Sequence, residues 1–120
     1  MRILLVDDSK TMRNIQKAVL TQLGHQDVQE ACDGQDALAK LASFTPELLL
    51  VDWNMPNMDG ITLIRHLRQL PDYRFTPLLM LTTEAGLDKK QEGKAAGATG
   101  WLVKPFNPEQ LVATLRKVLG

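Results

Sequence analysis

Acidic, hydroxyl and basic side chains stand at the ends of four short runs of strand character in this 120-residue chain. The first polar residues after these runs are Asp7, Asp8, Asp52, Thr82 and Lys104. The runs at 3–6 and 48–51 are continuously apolar, which is typical of strands buried on both faces of a parallel sheet. Because parallel strands present their carboxyl ends at one edge of the sheet, we expect three carboxylates, one hydroxyl and one ammonium to share a cleft there.

Three carboxylates in one cleft require a compensating cation. Two unit charges 4 Å apart repel by about 4 kcal/mol at an effective dielectric constant near 20. Oxygen ligands select a hard cation, and Mg²⁺ is the usual one. A carboxylate can also act as a nucleophile and form an aspartyl phosphate. With Lys104 and the cation to neutralise charge, the pattern predicts magnesium-dependent phosphoryl transfer to a carboxylate.

Each of these residues taken alone has an ordinary structural interpretation. An Asp such as Asp8 after a strand is commonly a turn or N-cap residue. A strand-terminal residue such as Thr82 is commonly structural, and a Lys such as Lys104 is commonly a solvated charge. The functional interpretation depends on the convergence of these side chains at matching strand ends.

Segments with helical periodicity alternate with the strand-like runs. Strands are predicted at 3–6, 27–31, 48–51, 78–81 and 99–103, and helices at 9–23, 34–43, 61–70, 86–96 and from Asn107 onward. The first helix has an apolar stripe formed by Met12, Ile15, Val19 and Leu23. The last helix begins with Asn107, Pro108 and Gln110 in the pattern of a capping box. Five strand–helix units in succession predict an α/β fold with a parallel sheet and helices on both faces.

Composition narrows the class of protein. Fourteen basic residues balance fourteen acidic ones, so no nucleic-acid or membrane partner is expected from net charge. Cys32 is the single cysteine, and His25 and His66 are the only histidines, which argues against a disulfide or a zinc site. The sequence shows neither a signal peptide nor a membrane span. We expect a soluble, cytoplasmic, monomeric protein in which residues 1–120 form a single domain without an output domain.

The polar residues also lie within recognisable motifs. In chain order these are Val6-Asp7-Asp8-Ser9, Asp52, Met55-Pro56, Asp59-Gly60, Thr82 and Lys104-Pro105-Phe106. In these motifs and their spacing, the whole chain resembles the receiver domains of bacterial two-component response regulators. The resemblance implies a doubly wound (βα)5 fold whose parallel five-stranded sheet has the flavodoxin-like order 2-1-3-4-5.

The resemblance also implies a role for each residue of the cleft. Asp52 corresponds to the phosphorylated aspartate. Asp8, Asp52 and the backbone carbonyl of Asn54 correspond to direct Mg²⁺ ligands, and Asp7 corresponds to a ligand through water. Lys104 corresponds to the lysine that pairs with the phosphoryl group.

Further positions correspond to residues that respond to phosphorylation. Thr82 matches the hydroxyl residue that moves toward the phosphoryl group, and Trp101 stands at the aromatic switch position, where Tyr or Phe is more frequent. Asn54 and Glu84 flank the site and would tune hydrolysis of the phosphoryl group.

The run from residue 52 to residue 60 is similar to that of the CheY subfamily of single-domain chemotaxis regulators. This similarity implies a phosphorylated switch rather than an enzyme. The implied partners are a CheA-like histidine kinase as phosphodonor, a FliM-like motor switch protein as target for control of flagellar rotation, and a phosphatase.

Gly86 and Leu87 depart from the Lys-rich fourth helix of the subfamily, and Thr114 stands where a basic residue is frequent. An alternative is therefore a stand-alone receiver that serves as a phosphorelay intermediate or phosphate sink. A phosphatase with its nucleophile after the first strand is disfavoured, because that class has Asp-x-Asp where this chain has Asp7-Asp8-Ser9.

Overall fold

A computed structural model describes residues 1–25, 27–55, 58–83, 86–104 and 107–119. The strands are β1 (Arg2–Val6), β2 (Asp27–Ala31), β3 (Leu48–Asp52), β4 (Leu78–Thr82) and β5 (Gly100–Val103). The helices are α1 (Lys10–Gln22), α2 (Gly34–Lys40), α3 (Gly60–Gln69), α4 (Leu87–Ala96) and α5 (Pro108–Leu119), and a 3₁₀ turn at Pro71–Tyr73 follows α3. Strands and helices alternate along the chain as predicted, whereas the 3₁₀ turn was not predicted.

The strands form one parallel sheet in the order β2-β1-β3-β4-β5, which confirms the expected topology. The carboxyl ends of neighbouring strands are in register. Val6 pairs with both Ala31 and Val51, and Thr82 pairs with Val103. The register therefore brings the last residues of β3 and β4 and the residues that follow β1 and β5 to one edge of the sheet.

Two apolar cores cover the two faces of the sheet. Alternate residues of the central strands point to opposite faces, so Leu49 and Val51 join one core while Leu48 and Leu50 join the other. Residues from α2, α3 and α4 complete the first core, and residues from α1 and α5 complete the second. All of β3 and β4 is buried, which explains their continuous apolar sequence.

Local polar contacts define the ends of the helices. The Ser9 hydroxyl accepts the Met12 amide at the start of α1. At the start of α5, the Gln110 amide donates to Asn107 Oδ1 over 2.8 Å and the Asn107 amide donates to Gln110 Oε1 over 2.9 Å. This reciprocal pair confirms the predicted capping box. The predicted second helix was too long, because α2 ends at Lys40 and a turn follows.

The predicted apolar stripe of α1 was partly wrong. Ile15 and Leu23 are 45% and 40% exposed, whereas the buried residues of the helix are Gln16, Val19 and Leu20. The buried face is therefore rotated by about one residue from the predicted one. A polar residue lies at its centre, which hid the true periodicity in the sequence.

Gln16 is fully buried, and both polar atoms of its amide lack a hydrogen-bond partner in the described part of the chain. Burying an unpaired amide is unfavourable by about 1–3 kcal/mol. We expect Gln16→Met, which keeps the unbranched shape without the polar atoms, to raise the free energy of unfolding in urea by about that amount. The exposed Gln22→Met, on the same helix, is the control and should change stability by less than about 0.5 kcal/mol. Loss of stability in Gln16→Met would mean that the amide has partners in the native protein.

None of the helices in the described ranges combines the length and the apolar character needed to span a bilayer.

Candidate functional site

Three carboxylates meet at the carboxyl edge of the sheet, as predicted. Asp7 and Asp8 follow β1, Asp52 ends β3, and one carboxylate oxygen of each lies within 4.8 Å of the others. Asp7 and Asp52 are buried, at 1% and 5% exposure, and Asp8 is exposed. The cluster therefore has a buried floor of two carboxylates and one carboxylate that is open to solvent.

Lys104 joins the two buried carboxylates. Its Nζ lies 2.9 Å from Asp52 Oδ1 and 3.1 Å from Asp7 Oδ2, and its side chain is 13% exposed. The residue follows β5, which is two strands away from β3 in the sheet. The lysine side chain therefore crosses the cleft and neutralises one of its three negative charges.

Burial raises the pKa of the Asp52 carboxyl, and the neighbouring Asp7 and Asp8 charges act in the same direction. The hydrogen bond from Lys104 opposes this shift by favouring the ionised form. Burial lowers the pKa of Lys104, but the hydrogen bond and charge of Asp52, together with the charge of Asp7, outweigh it and leave that pKa raised. Lys104 therefore remains an ammonium that favours the ionised form of Asp52.

Thr82 is buried at the end of β4, with 1% of its surface exposed. Its carbonyl oxygen accepts the Lys104 amide over 2.6 Å. The backbone thus joins the predicted hydroxyl residue directly to the lysine that pairs with Asp52.

Trp101 lies in β5 and contacts Trp53, which directly follows Asp52 in sequence. The two indole rings meet edge to face, with centroids 5.5 Å apart and planes at 75°. The Lys89 ammonium of α4 lies 4.5 Å from the Trp53 ring centroid. A Cβ at Gly93 of α4 would lie 3.1 Å from Trp101, so the glycine in the middle of α4 makes room for the large aromatic residue. The predicted switch residue is therefore packed between the site and α4.

Of the remaining predicted positions, the structure describes Asn54. Asn54 is exposed in the loop after β3. Glu84, predicted to tune hydrolysis, and the motif residues Pro56, Pro105 and Phe106 lie outside the described residues.

Sequence reasoning did not identify three residues that contact the site. Ser9 donates its amide to Asp7 Oδ1 over 2.9 Å, and the Arg13 guanidinium donates to the Asp7 carbonyl oxygen over 2.5 Å. Trp53, between the phosphoacceptor candidate and Trp101, is the third. The sequence carried one signal for Arg13, because a helix that begins at Lys10 places its first turn, which contains Arg13, next to the preceding loop.

The carboxylate cluster has the ligand chemistry of a hard divalent cation, since its donors are all oxygen and two of its three negative charges are unneutralised by Lys104. Asp7 Oδ1 and Oδ2 already accept hydrogen bonds from Ser9 and Lys104. Among the described residues, Asp8 and Asp52 accept fewer hydrogen bonds through their carboxylates and so have more capacity for a direct ligand bond. The residues present fit Mg²⁺.

We expect Asp8→Asn to raise the melting temperature of the metal-free protein by a few degrees, because it removes one of three mutually repelling charges. The same change should remove most of the stabilisation by Mg²⁺, which for the wild-type protein is about 1.4 kcal/mol when Mg²⁺ is tenfold above its dissociation constant. Thermal melts in chelator and in MgCl₂ measure both effects. Asp72→Asn, an exposed acidic change at the 3₁₀ turn, is the control and should keep the full response to Mg²⁺. An undiminished response in Asp8→Asn would contradict the assignment of Asp8 as a ligand.

Comparisons with known proteins agree with the fold and the motifs. Residues 3–116 match the family model of the response regulator receiver domain. The chain is 42% identical to the chemotaxis protein CheY1 of Helicobacter pylori over 100% of its own length and 98% of the relative. It superimposes on the structure of the chemotaxis response regulator CheY4 of Vibrio cholerae with a TM-score of 0.92 and 49% identity, covering 98% of this chain and 97% of that one.

A second solved structure bears on the carboxylate cluster. The receiver domain of a sensor histidine kinase from Pseudomonas aeruginosa holds a magnesium ion coordinated in its active-site cleft. This chain superimposes on it with a TM-score of 0.88 and 28% identity, covering 99% of this chain and 97% of that domain.

Proposed function

The chain belongs to the response regulator receiver family, and from this premise we propose that it is a signalling switch phosphorylated on Asp52 with the help of Mg²⁺. The observation that carries the proposal is the position of Asp52. Its carboxylate is buried, hydrogen-bonded to Lys104 over 2.9 Å and within 4.8 Å of two further carboxylates. A buried, lysine-paired carboxylate beside a cation site has the requirements of a phosphoryl acceptor.

The reaction follows from the groups that surround this carboxylate. An Asp52 oxygen attacks the phosphorus of a phosphohistidine, the phosphorus–nitrogen bond breaks, and the acyl phosphate forms. Bound Mg²⁺ would supply charge neutralisation to the phosphoryl oxygens, held by Asp8, Asp52 and the Asn54 carbonyl directly and by Asp7 through water. Lys104, which donates a hydrogen bond to Asp52, would donate to a phosphoryl oxygen instead. This use of preorganised positive charge needs little movement of the protein.

The response to phosphorylation would begin at Thr82 and Lys104. The new phosphoryl oxygens are strong acceptors that attract the Thr82 hydroxyl and the Lys104 ammonium. Since Lys104 and Thr82 are linked through their backbones, the ends of β4 and β5 would respond together. Trp101, in β5 and against Trp53, would then change its packing under α4 and alter the outer surface of that helix. Asn54 and Glu84 would tune the lifetime of the phosphoryl group.

The target surface would lie at α4, β5 and α5. A groove of about 420 Å³ runs along this edge and is lined by Lys90, Lys94, Ala98, Thr99, Gly100 and Trp101. Its two lysines suit an acidic segment of a partner, and its lining includes the proposed switch residue Trp101. The chemotaxis relatives support a CheA-like kinase as phosphodonor, and together with this groove they support a FliM-like motor switch protein as target.

Binding of a FliM N-terminal peptide to the beryllofluoride-activated protein tests the output. Tryptophan fluorescence should report tighter binding to the activated than to the untreated protein, and the difference should disappear in Asp52→Asn. Activation without any peptide binding would favour the stand-alone phosphorelay or phosphate-sink function instead.

A further inference from the structure

Asp7 is fixed through all four of its polar groups. Its amide donates to the Ala31 carbonyl over 3.1 Å, and its two carboxylate oxygens accept from the Ser9 amide and from Lys104. The fourth contact is to its carbonyl oxygen, which accepts Arg13 Nη1. That carbonyl belongs to the peptide group that joins Asp7 to Asp8, so its orientation is linked to the direction in which the Asp8 side chain leaves the backbone.

Arg13 is itself held at two points. Its Nε donates to Glu30 Oε1 over 3.0 Å, which joins α1 to β2. The Arg13 side chain is 14% exposed, so the guanidinium is well shielded from water. A planar guanidinium that spans two acceptors is a rigid connection, unlike a single flexible ammonium.

We propose that Arg13 is a positioning residue for the cation site. It holds the peptide group between Asp7 and Asp8 and so orients the carboxylates that bind the metal. The inference rests on the proposed function of the carboxylate cluster. Within the described part of the chain, the hydrogen bonds of the Arg13 guanidinium go to the Asp7 carbonyl and to Glu30 rather than to a carboxylate of the cluster. Outer contacts of this kind commonly change metal affinity by one to two orders of magnitude.

Two possible effects of Arg13 on the cation predict opposite results. As a positive charge near the cluster, Arg13 would weaken cation binding, so its removal would tighten binding. As a positioning group, it would strengthen binding, so its removal would weaken it. Glu30 Oε1 lies 3.0 Å from Arg13 Nε and neutralises the guanidinium charge. The repulsion of the cation is therefore reduced, and the positioning effect is dominant.

Calorimetric titration of the full chain with MgCl₂ separates these effects. We expect Arg13→Met to weaken Mg²⁺ binding about tenfold. Arg13→Lys, which keeps the positive charge and loses the planar guanidinium that spans two acceptors, should weaken Mg²⁺ binding to a similar extent. Lys17→Met is the matched control, because Lys17 also faces Glu30, at 3.7 Å, on the same helix and is not seen to contact Asp7 in the described structure. Its affinity for Mg²⁺ should stay within about twofold of wild type.

A second measurement does not depend on the metal. Amide hydrogen exchange in the metal-free protein should be faster at Ser9 in Arg13→Met than in Lys17→Met, because the Ser9 amide is bonded to the residue that Arg13 holds. Unchanged or tighter Mg²⁺ binding in folded Arg13→Met, wild-type affinity in Arg13→Lys, or unchanged exchange at Ser9 would overturn the inference. Failure of the wild-type protein to bind Mg²⁺ would instead overturn the proposed function, and the exchange of Ser9 would then decide on Arg13 alone.

Discussion

Replacing Lys104 with Met is expected to lower the free energy of unfolding of the metal-free protein by about 3 kcal/mol near neutral pH. The substitution leaves Asp7 and Asp52, which are 1% and 5% exposed, without their shared cation. Breaking a buried ion pair by removing one partner is unfavourable because the remaining charges stay desolvated. Urea denaturation in chelator measures the loss, and Lys117→Met, at an exposed position of α5, should lose less than about 1 kcal/mol.

The loss of stability in Lys104→Met should depend on pH, because it depends on whether Asp52 is ionised. Burial raises the pKa of Asp52 above its ordinary value of 3.8, and the hydrogen bond from Lys104 opposes that shift. Without Lys104 the folded-state pKa rises further. When the pKa of a carboxyl is higher in the folded than in the unfolded protein, protonation of that carboxyl stabilises the fold at low pH. This stabilisation is complete below the unfolded-state pKa and is lost as the pH rises through the folded-state pKa. The deficit of Lys104→Met should therefore be smaller at acidic pH, where Asp52 is protonated, than near neutral pH, where it is ionised. A variant with wild-type stability at both pH values would show that Lys104 does not compensate the buried carboxylates.

Gly60→Ala is expected to disturb the site through the backbone rather than through a side chain. The Gly60 amide donates to the Trp53 carbonyl over 2.9 Å, so the start of α3 packs directly on the end of β3. A Cβ at Gly60 would overlap the carbonyl oxygen of Asp52 and lie 3.0 Å from the Trp53 Cα. Backbone atoms cannot rotate out of the way, and the end of β3 that carries the phosphoacceptor candidate would have to shift.

We expect Gly60→Ala to lose about 3 kcal/mol of stability, the upper part of the range for overpacking, and to be phosphorylated more slowly than wild type. Gly86→Ala is the matched control, since no atom of the residues that the structure describes lies within 4 Å of a Cβ at that position. Its loss should stay near 1 kcal/mol or less, which is the usual effect of Ala at a helix N-cap. Equal stability of the two variants would mean that α3 can move away from β3 without penalty.

The convergence of the site could be predicted because it depends on few physical rules. Buried parallel strands have continuous apolar sequences, and the residue after each strand lies at the same edge of the sheet. From the amino-acid sequence alone, these rules bring Asp7, Asp8, Asp52 and Lys104 together. They could not predict which oxygen Lys104 contacts, because that choice depends on side-chain rotamers in the assembled cleft.

The contacts around the site were less predictable. Gln16 occupies the buried face of α1, where an apolar residue was expected, and so the true orientation of the helix was hidden. The packing of Trp101 against Trp53 depends on how closely α4 approaches the sheet, and that approach is possible because position 93 is a glycine. The sequence of α4 has weak amphipathic character, so periodicity could not show which of its residues face the indoles.

Asp52 is the proposed phosphoryl acceptor of this chain. The most direct test incubates the protein and Asp52→Asn with a small acyl phosphate and MgCl₂ and follows covalent incorporation of the phosphoryl group by intact-protein mass spectrometry. We predict that the wild-type protein gains one phosphoryl group, which is lost on incubation in alkali, and that Asp52→Asn gains none although it remains folded. Incorporation into Asp52→Asn at the wild-type rate would contradict the assignment of Asp52 as the acceptor.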